Sequence, residues 1–367
     1  MKQFRDSRRL LALLVVICVV GSPASGAEPA VDLPAYDLVV RNGRIVDGSG
    51  NPWYFGDIAI RGDRIAALGR IPHDAAARQI DAAGLIVSPG FIDIHSHSDM
   101  LLLEDGSAHS KIRQGVTTEV LGEGDSAGPS LGRLAAAKLS VGDRTLQWNT
   151  LGEYFDTLDR EGVAVNVASY VGLNSVWRCV MGDSFARPND EQRQQMRELV
   201  RQAMADGALG LSSMLAMPPG SLATTDDIVD LCREVQKAGG IYSSHIRNEG
   251  TGVFDAVKEA IEIGERAKIP VDIIHLKIAD QQYWGRMREI IALIEAARTR
   301  GVNVQAHVYP YTRGNNNLSS IIPPWAHEGG ATKFRERLKR PRGARTDQAR
   351  RPTGAARLVQ PLHGCRG

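Results

Sequence analysis

The residues with the clearest chemical potential are two histidines in the tract PGFIDIHSHSD, His95 and His97. An apolar run after the Pro-Gly pair predicts a short buried strand that ends near them. Side chains alternate along a strand, so the H-x-H spacing puts both imidazoles on one face. Two neighbouring imidazoles suit a divalent ion such as Zn²⁺. A single H-x-H motif is weak evidence, because pairs of surface or core histidines are also common. Other residues have to support the metal-binding interpretation.

Two further histidines provide that support. His245 ends the run IYSSHIR, and His275 ends the run VDIIHLK. Either one alone would more often be a hydrogen-bonded core histidine. In a parallel barrel, however, the carboxyl ends of all strands meet at one mouth. Four histidines at such ends predict a metal centre with His95, His97, His245 and His275 as ligands.

A centre with several imidazoles also needs a carboxylate, to neutralise charge and to bridge two ions. The run TTEVLGEGD offers Glu123 and Asp125. The run ALGLSSM contains no lysine, so a carbamylated-lysine bridge is not available there. We predict Glu123 as the bridging ligand. The alternative is a loop carboxylate whose flanking glycines serve only the turn.

Such a centre favours hydrolysis of an amide or ester, because a bound metal activates water and polarises a carbonyl. A base must still move the proton. The remaining histidines receive a structural interpretation, and among them only His307, inside a strand-like run before Tyr309, could face the barrel. They are His73, His109, His307, His327 and His363.

The elements that must position these residues fall into two segments. In residues 36–84, apolar and polar residues alternate over short runs such as YDLVVRNGRIVDG and DIAIRGDRIAALG. This pattern predicts part of a small β-sandwich domain. Residues 85–330 alternate short apolar runs with helix-length amphipathic stretches. Seven runs predict about seven βα units of an α/β, TIM-type (β/α)8 barrel that lacks its eighth strand. The expected helices include 190–204 and 254–267. Residues 225–227 are expected to cap another helix that begins between these two.

Composition excludes several classes of protein. With 367 residues and 43% hydrophobic content, the chain can bury a large core. The formal charge of +2 hides a contrast, because residues 1–27 carry four basic and one acidic side chain and residues 331–367 carry eleven and two. Residues 28–330 therefore carry −10, which argues against a nucleic-acid surface. The four cysteines show no metal or disulfide spacing, and buried free thiols are expected.

The two ends of the chain differ from the rest. Residues 1–27 combine a basic start, an apolar run and small residues, which predicts a signal peptide and an exported, periplasmic or extracellular protein with no membrane association after cleavage. An uncleaved anchor is the alternative, although the apolar run is about half of a membrane span. Residues 331–367 are basic, without apolar period after a first helix-like stretch, and predict either a natural disordered tail or a frame-shifted ending.

Taken in order, these motifs resemble a known family. The tracts PGFIDIHSHSD, QGVTTEVLGEG, SSHIRNEG, IIHLKIAD and VYPYTRGNNNLSSIIPPWA are similar to the D-aminoacylase (N-acyl-D-amino-acid deacylase) branch of the amidohydrolase superfamily. The resemblance implies a β-sandwich on a metal-bearing barrel that hydrolyses N-acyl-D-amino acids. It implies one or two zinc ions, or other divalent metals, with His95 and His97 on the first ligand pair and His245 and His275 on the later histidines.

The resemblance also implies residues that contact the substrate, and it has departures. Lys277 and Tyr309 match positions that hold the substrate carboxylate, or are solvated or packed side chains. Asn315 replaces a serine, and Met217 replaces a tyrosine of the family. Where the best-known members place a cysteine, this chain has Gly124 beside Glu123, which favours a glutamate bridge.

The gravest departure concerns the catalytic aspartate of the family, expected in a Gly-Ser-Asp-like turn at the eighth strand. Nothing after Gly330 resembles that turn, so the sequence predicts a C-terminally truncated, impaired enzyme. Two alternatives stay open. One is another amidohydrolase, acting on cyclic amides or dipeptides, and the other is a non-catalytic metal-binding remnant of a frame-shifted gene.

Overall fold

A computed structural model describes residues 35–314 and 316–339 of the chain, which form two compact units divided between Pro89 and Gly90. The predictions for the signal peptide, for Asn315, and for the tail from residue 340 onward concern residues outside these ranges. Cys179 and Cys232, the two cysteines inside them, are buried and free as expected.

The N-terminal unit is a five-stranded mixed sheet. Its strands are β1 (Tyr36–Ile45), β2 (Tyr54–Arg61), β3 (Arg64–Gly69), β4 (Ala76–Asp81) and β5 (Ile86–Val87). β1, β2 and β3 pair antiparallel in chain order, while β4 and β5 run parallel to β1. The alternation of apolar and polar residues therefore predicted this sheet correctly. A second sheet that would complete a sandwich remains a prediction.

A buried arginine ties this sheet together. The Arg41 guanidinium makes four hydrogen bonds, to Asp57 Oδ2 at 3.0 Å, to the backbone oxygens of Ile71 and Pro72 at 2.7 Å each, and to Gln79 Oε1. Only 7% of the arginine side chain is exposed. Because four of the five donors are satisfied inside the unit, the charge can be buried without a large cost. We call these five residues the Arg41 cluster.

The run LIVSPGFIDIHSH, expected as the first barrel strand, is divided between the two units. Ile86 and Val87 pair with β1, and the next strand begins at Phe91. The intervening Ser-Pro-Gly explains the break, because proline lacks a donor for a ladder and restricts the residue before it. The observed division of the chain thus lies five residues after residue 84.

The C-terminal unit is α/β. Its strands are β6 (Phe91–Asp93), β7 (Val116–Leu121), β8 (Ala137–Val141), β9 (Arg144–Trp148), β10 (Asn166–Ser169), β11 (Val171–Gly172), β12 (Gly210–Met214), β13 (Ile241–His245), β14 (Val271–Ile273) and β15 (Val304–Ala306). β6, β7 and β10 form one parallel sheet, and β11 to β15 form another in sequence order. β8 and β9 form an antiparallel hairpin. Only Tyr170 separates β10 from β11, so the parallel strands follow the seven predicted runs, while closure into a barrel remains a prediction.

Helices alternate with these strands. They are α1 (Leu101–Glu104), α2 (His109–Ile112), α3 (Leu151–Glu161), α4 (Leu173–Met181), α5 (Asp190–Ala205), α6 (Thr225–Lys237), α7 (Val253–Ala267), α8 (Met287–Thr299) and α9 (Gly330–Leu338). α5 and α7 agree with the predicted helices. The cap of α6 is one residue earlier than expected, since Thr224 Oγ1 accepts the backbone N–H of Asp227 in a capping box. α9 covers the helix-like start of the basic tail.

One large apolar core joins the strands to these helices. Its fully buried side chains include Trp148, Tyr154, Trp177, Leu211 and Tyr242. Within residues 35–314 and 316–339, no helix combines the length and apolar character of a membrane span. The core therefore supports the strand ends that carry the predicted ligands.

Candidate metal centre

All five predicted ligands come from the carboxyl ends of parallel strands. His95 and His97 follow β6, Glu123 follows β7, His245 is the last residue of β13, and His275 follows β14. β6 and β7 belong to one parallel sheet, and β13 and β14 belong to the other. The five side chains meet at these strand ends, although they are up to 180 positions apart in the sequence.

Glu123 lies at the middle of the group. Its Oε2 is 3.3 Å from His95 Nε2 and 3.3 Å from His97 Nε2, while its Oε1 is 2.9 Å from His245 Nδ1. Each carboxylate oxygen thus faces its own imidazole or pair of imidazoles. Burial acts to raise the pKa of the Glu123 carboxyl, but hydrogen bonds from His245 and His95 outweigh it and hold that pKa well below its usual range.

Two glycines aim this carboxylate. Gly122 and Gly124 have φ of +84° and +67°, a conformation that L side chains rarely adopt. A Cβ on Gly122 would lie 2.4 Å from the Tyr170 carbonyl oxygen, and one on Gly124 would lie 2.5 Å from Met214 Cβ. The glycines that suggested a mere turn are therefore also what lets Glu123 turn toward the histidines.

The imidazoles face one another as closely as they face Glu123. His95 Nε2 is 3.1 Å from His97 Nε2, and His275 Nε2 is 3.1 Å from His245 Nδ1. Donor atoms of His95, Glu123 and His275 all lie within 4.8 Å of one another. A neutral imidazole carries only one N–H, so such a group is rich in lone pairs directed inward. Imidazole nitrogens with one carboxylate fit the ligand preference of Zn²⁺.

Asp125, the other carboxylate of the loop, points elsewhere. Its Oδ2 accepts a hydrogen bond from Asn174 Nδ2 at 2.9 Å, and its Oδ1 pairs with Arg178. Glu123 and Asp125 therefore face different partners, although they are only two positions apart. The sequence alone left both available as ligands.

A network of buried and partly buried polar side chains supports the segment that carries His95 and His97. Asp93 Oδ1 accepts the backbone N–H of His95 at 3.2 Å, and Lys111 Nζ lies 2.5 Å from Asp93 Oδ2. Ser96 Oγ donates to Glu119 Oε2 at 2.5 Å, and Lys111 Nζ is 3.5 Å from that same oxygen. Glu119 is fully buried. The network fixes the backbone that carries the H-x-H pair.

Lys277 and Tyr309, the two predicted substrate-binding residues, lie beside His275, and their contact with substrate remains a prediction. Lys277 Nζ is 3.3 Å from His275 Nδ1 and 5.6 Å from the centroid of the Tyr309 ring. The sequence reading missed Glu249, whose Oε1 is 3.0 Å from His275 Nδ1 and also pairs with Lys277. Its signal was a carboxylate four residues after His245, in the tract HIRNEG.

The His307 ring lies near the five candidate ligands, but its nitrogens are not among the atoms close enough to share a metal ion with them. Its ring centroid is 6.1 Å from that of His95, and its Nε2 lies 3.2 Å from Asp272 Oδ2, poorly aligned for a hydrogen bond. His109 is exposed on α2, and His327 stacks on Phe334. The structural interpretation of those two histidines is consistent with their positions.

Comparison with known proteins agrees with this fold and site. The model of the amidohydrolase family matches residues 78–301. The D-aminoacylase of Alcaligenes xylosoxydans xylosoxydans is 39% identical over 290 residues, 78% of this chain and 60% of that protein. The N-acyl-D-glutamate deacylase of the same organism is 36% identical over 295 residues, 80% of this chain and 60% of that protein.

Solved structures give the same assignment. The N-acyl-D-glutamate deacylase from Bordetella bronchiseptica, complexed with zinc and a phosphonate inhibitor, has a TM-score of 0.70 at 36% identity, over 75% of this chain and 59% of that one. A D-aminoacylase structure has a TM-score of 0.70 at 37% identity, over 76% and 59%. Another D-aminoacylase, with a TM-score of 0.69, has a binuclear metal centre.

The fold and the family match define the class: the chain belongs to the amidohydrolase family, whose members hydrolyse C–N bonds. Within that family it falls in the branch of D-aminoacylases and N-acyl-D-amino-acid deacylases, so the resemblance seen in the sequence is confirmed. The chain spans about 60% of the length of the curated relatives it matches.

Proposed function

We propose that this protein hydrolyses the amide bond of N-acyl-D-amino acids, releasing a D-amino acid and a carboxylate, with one or two zinc ions as cofactor. The observation that carries the proposal is the position of Glu123, with one oxygen toward His95 and His97 and the other toward His245. A carboxylate placed in this way can bridge two ions. The relatives named above support the substrate class.

The five residues would divide the work of holding the metal. His95 and His97 would bind on one side, His245 and His275 on the other, and Glu123 between them. When bound, zinc would supply Lewis-acid activation of water and of the scissile carbonyl. Burial lowers the pKa of His275 more than its hydrogen bond to Glu249 raises it. The imidazole is therefore neutral and able to bind a metal near pH 7.

Lys277 and Tyr309 would bind the substrate's free carboxylate. The Lys277 ammonium lies beside the imidazole of His275, and the Tyr309 ring packs 6.4 Å from the same imidazole, centroid to centroid. A cation and a hydroxyl on one side of the centre suit an open-chain N-acyl amino acid. A cyclic amide offers no carboxylate to this pair.

The test uses the chain expressed with zinc. Metal content is measured by elemental analysis, and D-amino acid release is followed from N-acetyl-D-amino acids, with the L-enantiomers and a hydantoin as matched controls. Bound zinc is the expected result, together with release that is D-selective even where the predicted impairment makes it slow. Bound zinc with hydrolysis only of the cyclic amide would replace the substrate class, and a chain that binds no zinc would refute the centre.

We also propose that the protein is exported, on the basis of the N-terminal pattern at residues 1–27. The mature N-terminus of protein recovered outside the cytoplasm, determined by mass spectrometry, should follow Ala27. Recovery of the intact N-terminus with the cytoplasmic fraction would contradict export.

A further inference from the structure

Glu249 has a position that the proposed metal centre does not explain. It lies in the loop between β13 and α7, with 16% of its side chain exposed. The loop is fastened, because Ala279 N donates to the Glu249 carbonyl oxygen at 2.7 Å and Gly250 N donates to Asn248 Oδ1 at 2.8 Å. The backbone that carries the Glu249 carboxylate is therefore held in place.

This carboxylate selects one nitrogen of His275. Oε1 of Glu249 is 3.0 Å from His275 Nδ1, whereas His275 Nε2 is 3.1 Å from His245 Nδ1 inside the cluster. A carboxylate only accepts hydrogen bonds, whereas the Lys277 ammonium, 3.3 Å from the same nitrogen, only donates them, and the shorter contact with Glu249 favours a proton on Nδ1. The Nε2 lone pair is then left free toward the cluster. Carboxylates that accept a hydrogen bond from the outer ring nitrogen of a metal-binding histidine fix its orientation in this way.

The same group of atoms could be read as a second set of ligands, because donor atoms of His245, Glu249 and His275 lie within 4.8 Å of one another. The position of Lys277 argues against that interpretation. Its ammonium contacts Glu249 Oε1 and lies 3.3 Å from His275 Nδ1. A divalent ion at this place would face a positive charge at contact distance.

We propose that Glu249 is a positioning residue that orients the His275 ring for metal binding and, with the same oxygen, holds Lys277 beside it. The inference rests on the proposed function, since it assigns Lys277 to the substrate carboxylate. One carboxylate thereby couples the metal side of the centre to the side that recognises substrate. The backbone of His275 is consistent with an imposed orientation, because its φ of +38° is unusual for a residue other than glycine.

The test compares Glu249→Gln with Lys277→Met and with the exposed control Glu295→Gln in the full chain. Zinc affinity is measured by chelator competition, and the His275 tautomer of the metal-free protein by long-range ¹⁵N NMR. E249Q should weaken zinc binding by about 10- to 100-fold and lose the Nδ1–H preference. K277M should keep both properties, with zinc affinity within about threefold of wild type, and should raise KM for N-acyl-D-amino acids.

Each outcome decides something. Unchanged zinc affinity and tautomer in E249Q would overturn the proposal, as would a K277M variant that binds zinc as weakly as E249Q. If E249Q does not fold, the tautomer in wild type and K277M still decides whether Nδ1 carries the proton. These readouts need no substrate, so wild-type protein that binds zinc but releases no D-amino acid would refute the proposed function while leaving the role of Glu249 to its own test.

Discussion

Two polar clusters of this molecule each surround a central charged side chain that is almost fully buried, and they differ in what completes them. The Arg41 cluster of the N-terminal sheet surrounds a cation, 7% exposed, with acceptors. The cluster around Glu123, 10% exposed, surrounds a carboxylate with imidazole nitrogens that also face one another at 3.1 Å. In the first, donors and acceptors are matched. In the second, acceptors predominate.

The difference separates a structural cluster from a functional one. A buried polar group stabilises the fold when its partners are present in the chain itself. A group of inward-facing acceptors is instead completed by something added, and a divalent cation is the simplest addition. The two clusters should therefore respond differently to mutation, the Glu123 cluster in zinc binding and the Arg41 cluster in stability.

The largest effect is expected for Glu123→Ala. Removing the central carboxylate takes a donor from both sides of the centre, so zinc binding should fall by more than about 100-fold. The Tm of the variant should no longer rise when zinc is added. Calorimetry with and without zinc measures both quantities.

Asp125→Asn is the matched control for that variant, because Asp125 lies in the same loop and faces Arg178 and Asn174. It should retain the zinc-dependent rise in Tm. A Glu123→Ala protein that still gains stability from zinc would remove the distinction between the two clusters.

The next effect is a loss of stability in the other cluster. Arg41→Met removes the cation that pairs with Asp57 and the donor of two backbone oxygens, which should destabilise the N-terminal sheet by about 3–5 kcal/mol. Arg64→Met, at a site 84% exposed, should change it by less than about 0.5 kcal/mol. Hydrogen exchange of the β1 and β2 amides in chelator-treated protein reports this sheet. Equal protection in both variants would show that the Arg41 cluster does not stabilise it.

The sequence predicted the meeting of the candidate ligands around Glu123 better than it predicted the Arg41 cluster, for a physical reason. His95, His245 and His275 each follow an apolar run, and parallel strands bring such ends together whatever their spacing in the chain. The partners of Arg41 depend on register in a mixed sheet and on a turn near Pro72, which no local pattern encodes.

Other features escaped prediction because they depend on tertiary contacts. Glu249 reaches His275 through a loop without periodicity, so its role was not visible from spacing. The transfer of Ile86 and Val87 to the N-terminal sheet depends on pairing with β1. Seven parallel runs could be counted from apolar patterns, while their closure could not.

A smaller difference in zinc affinity should separate the buried and the exposed histidines of the cluster around Glu123. The His245 side chain is 16% exposed, whereas that of His97 is 67% exposed. A water molecule can replace an exposed ligand at lower cost, so His245→Ala should weaken zinc binding about tenfold more than His97→Ala. The exposed His109→Ala on α2 is the control and should bind zinc as wild type does. If the His97 variant loses more, exposure does not rank the ligands.

The smallest effect is a pH dependence confined to the Arg41 cluster. Burial acts to raise the pKa of Asp57, but hydrogen bonds from the Asn42 and Ile71 amides and the charge of Arg41 outweigh it and hold that pKa below 3.8. The folded-state pKa lies below the unfolded one, so the stabilisation is present above about pH 5 and is lost as the pH falls through the folded pKa. Asp57→Asn should therefore cost about 1 kcal/mol near pH 7, and this cost should shrink as the pH falls through the folded pKa. Asp63→Asn, at a site 88% exposed, should follow wild type at every pH. Hydrogen exchange of β1 and β2 across this range measures the difference, and a constant gap between Asp57→Asn and wild type would mean that the carboxylate charge contributes nothing to the matched cluster.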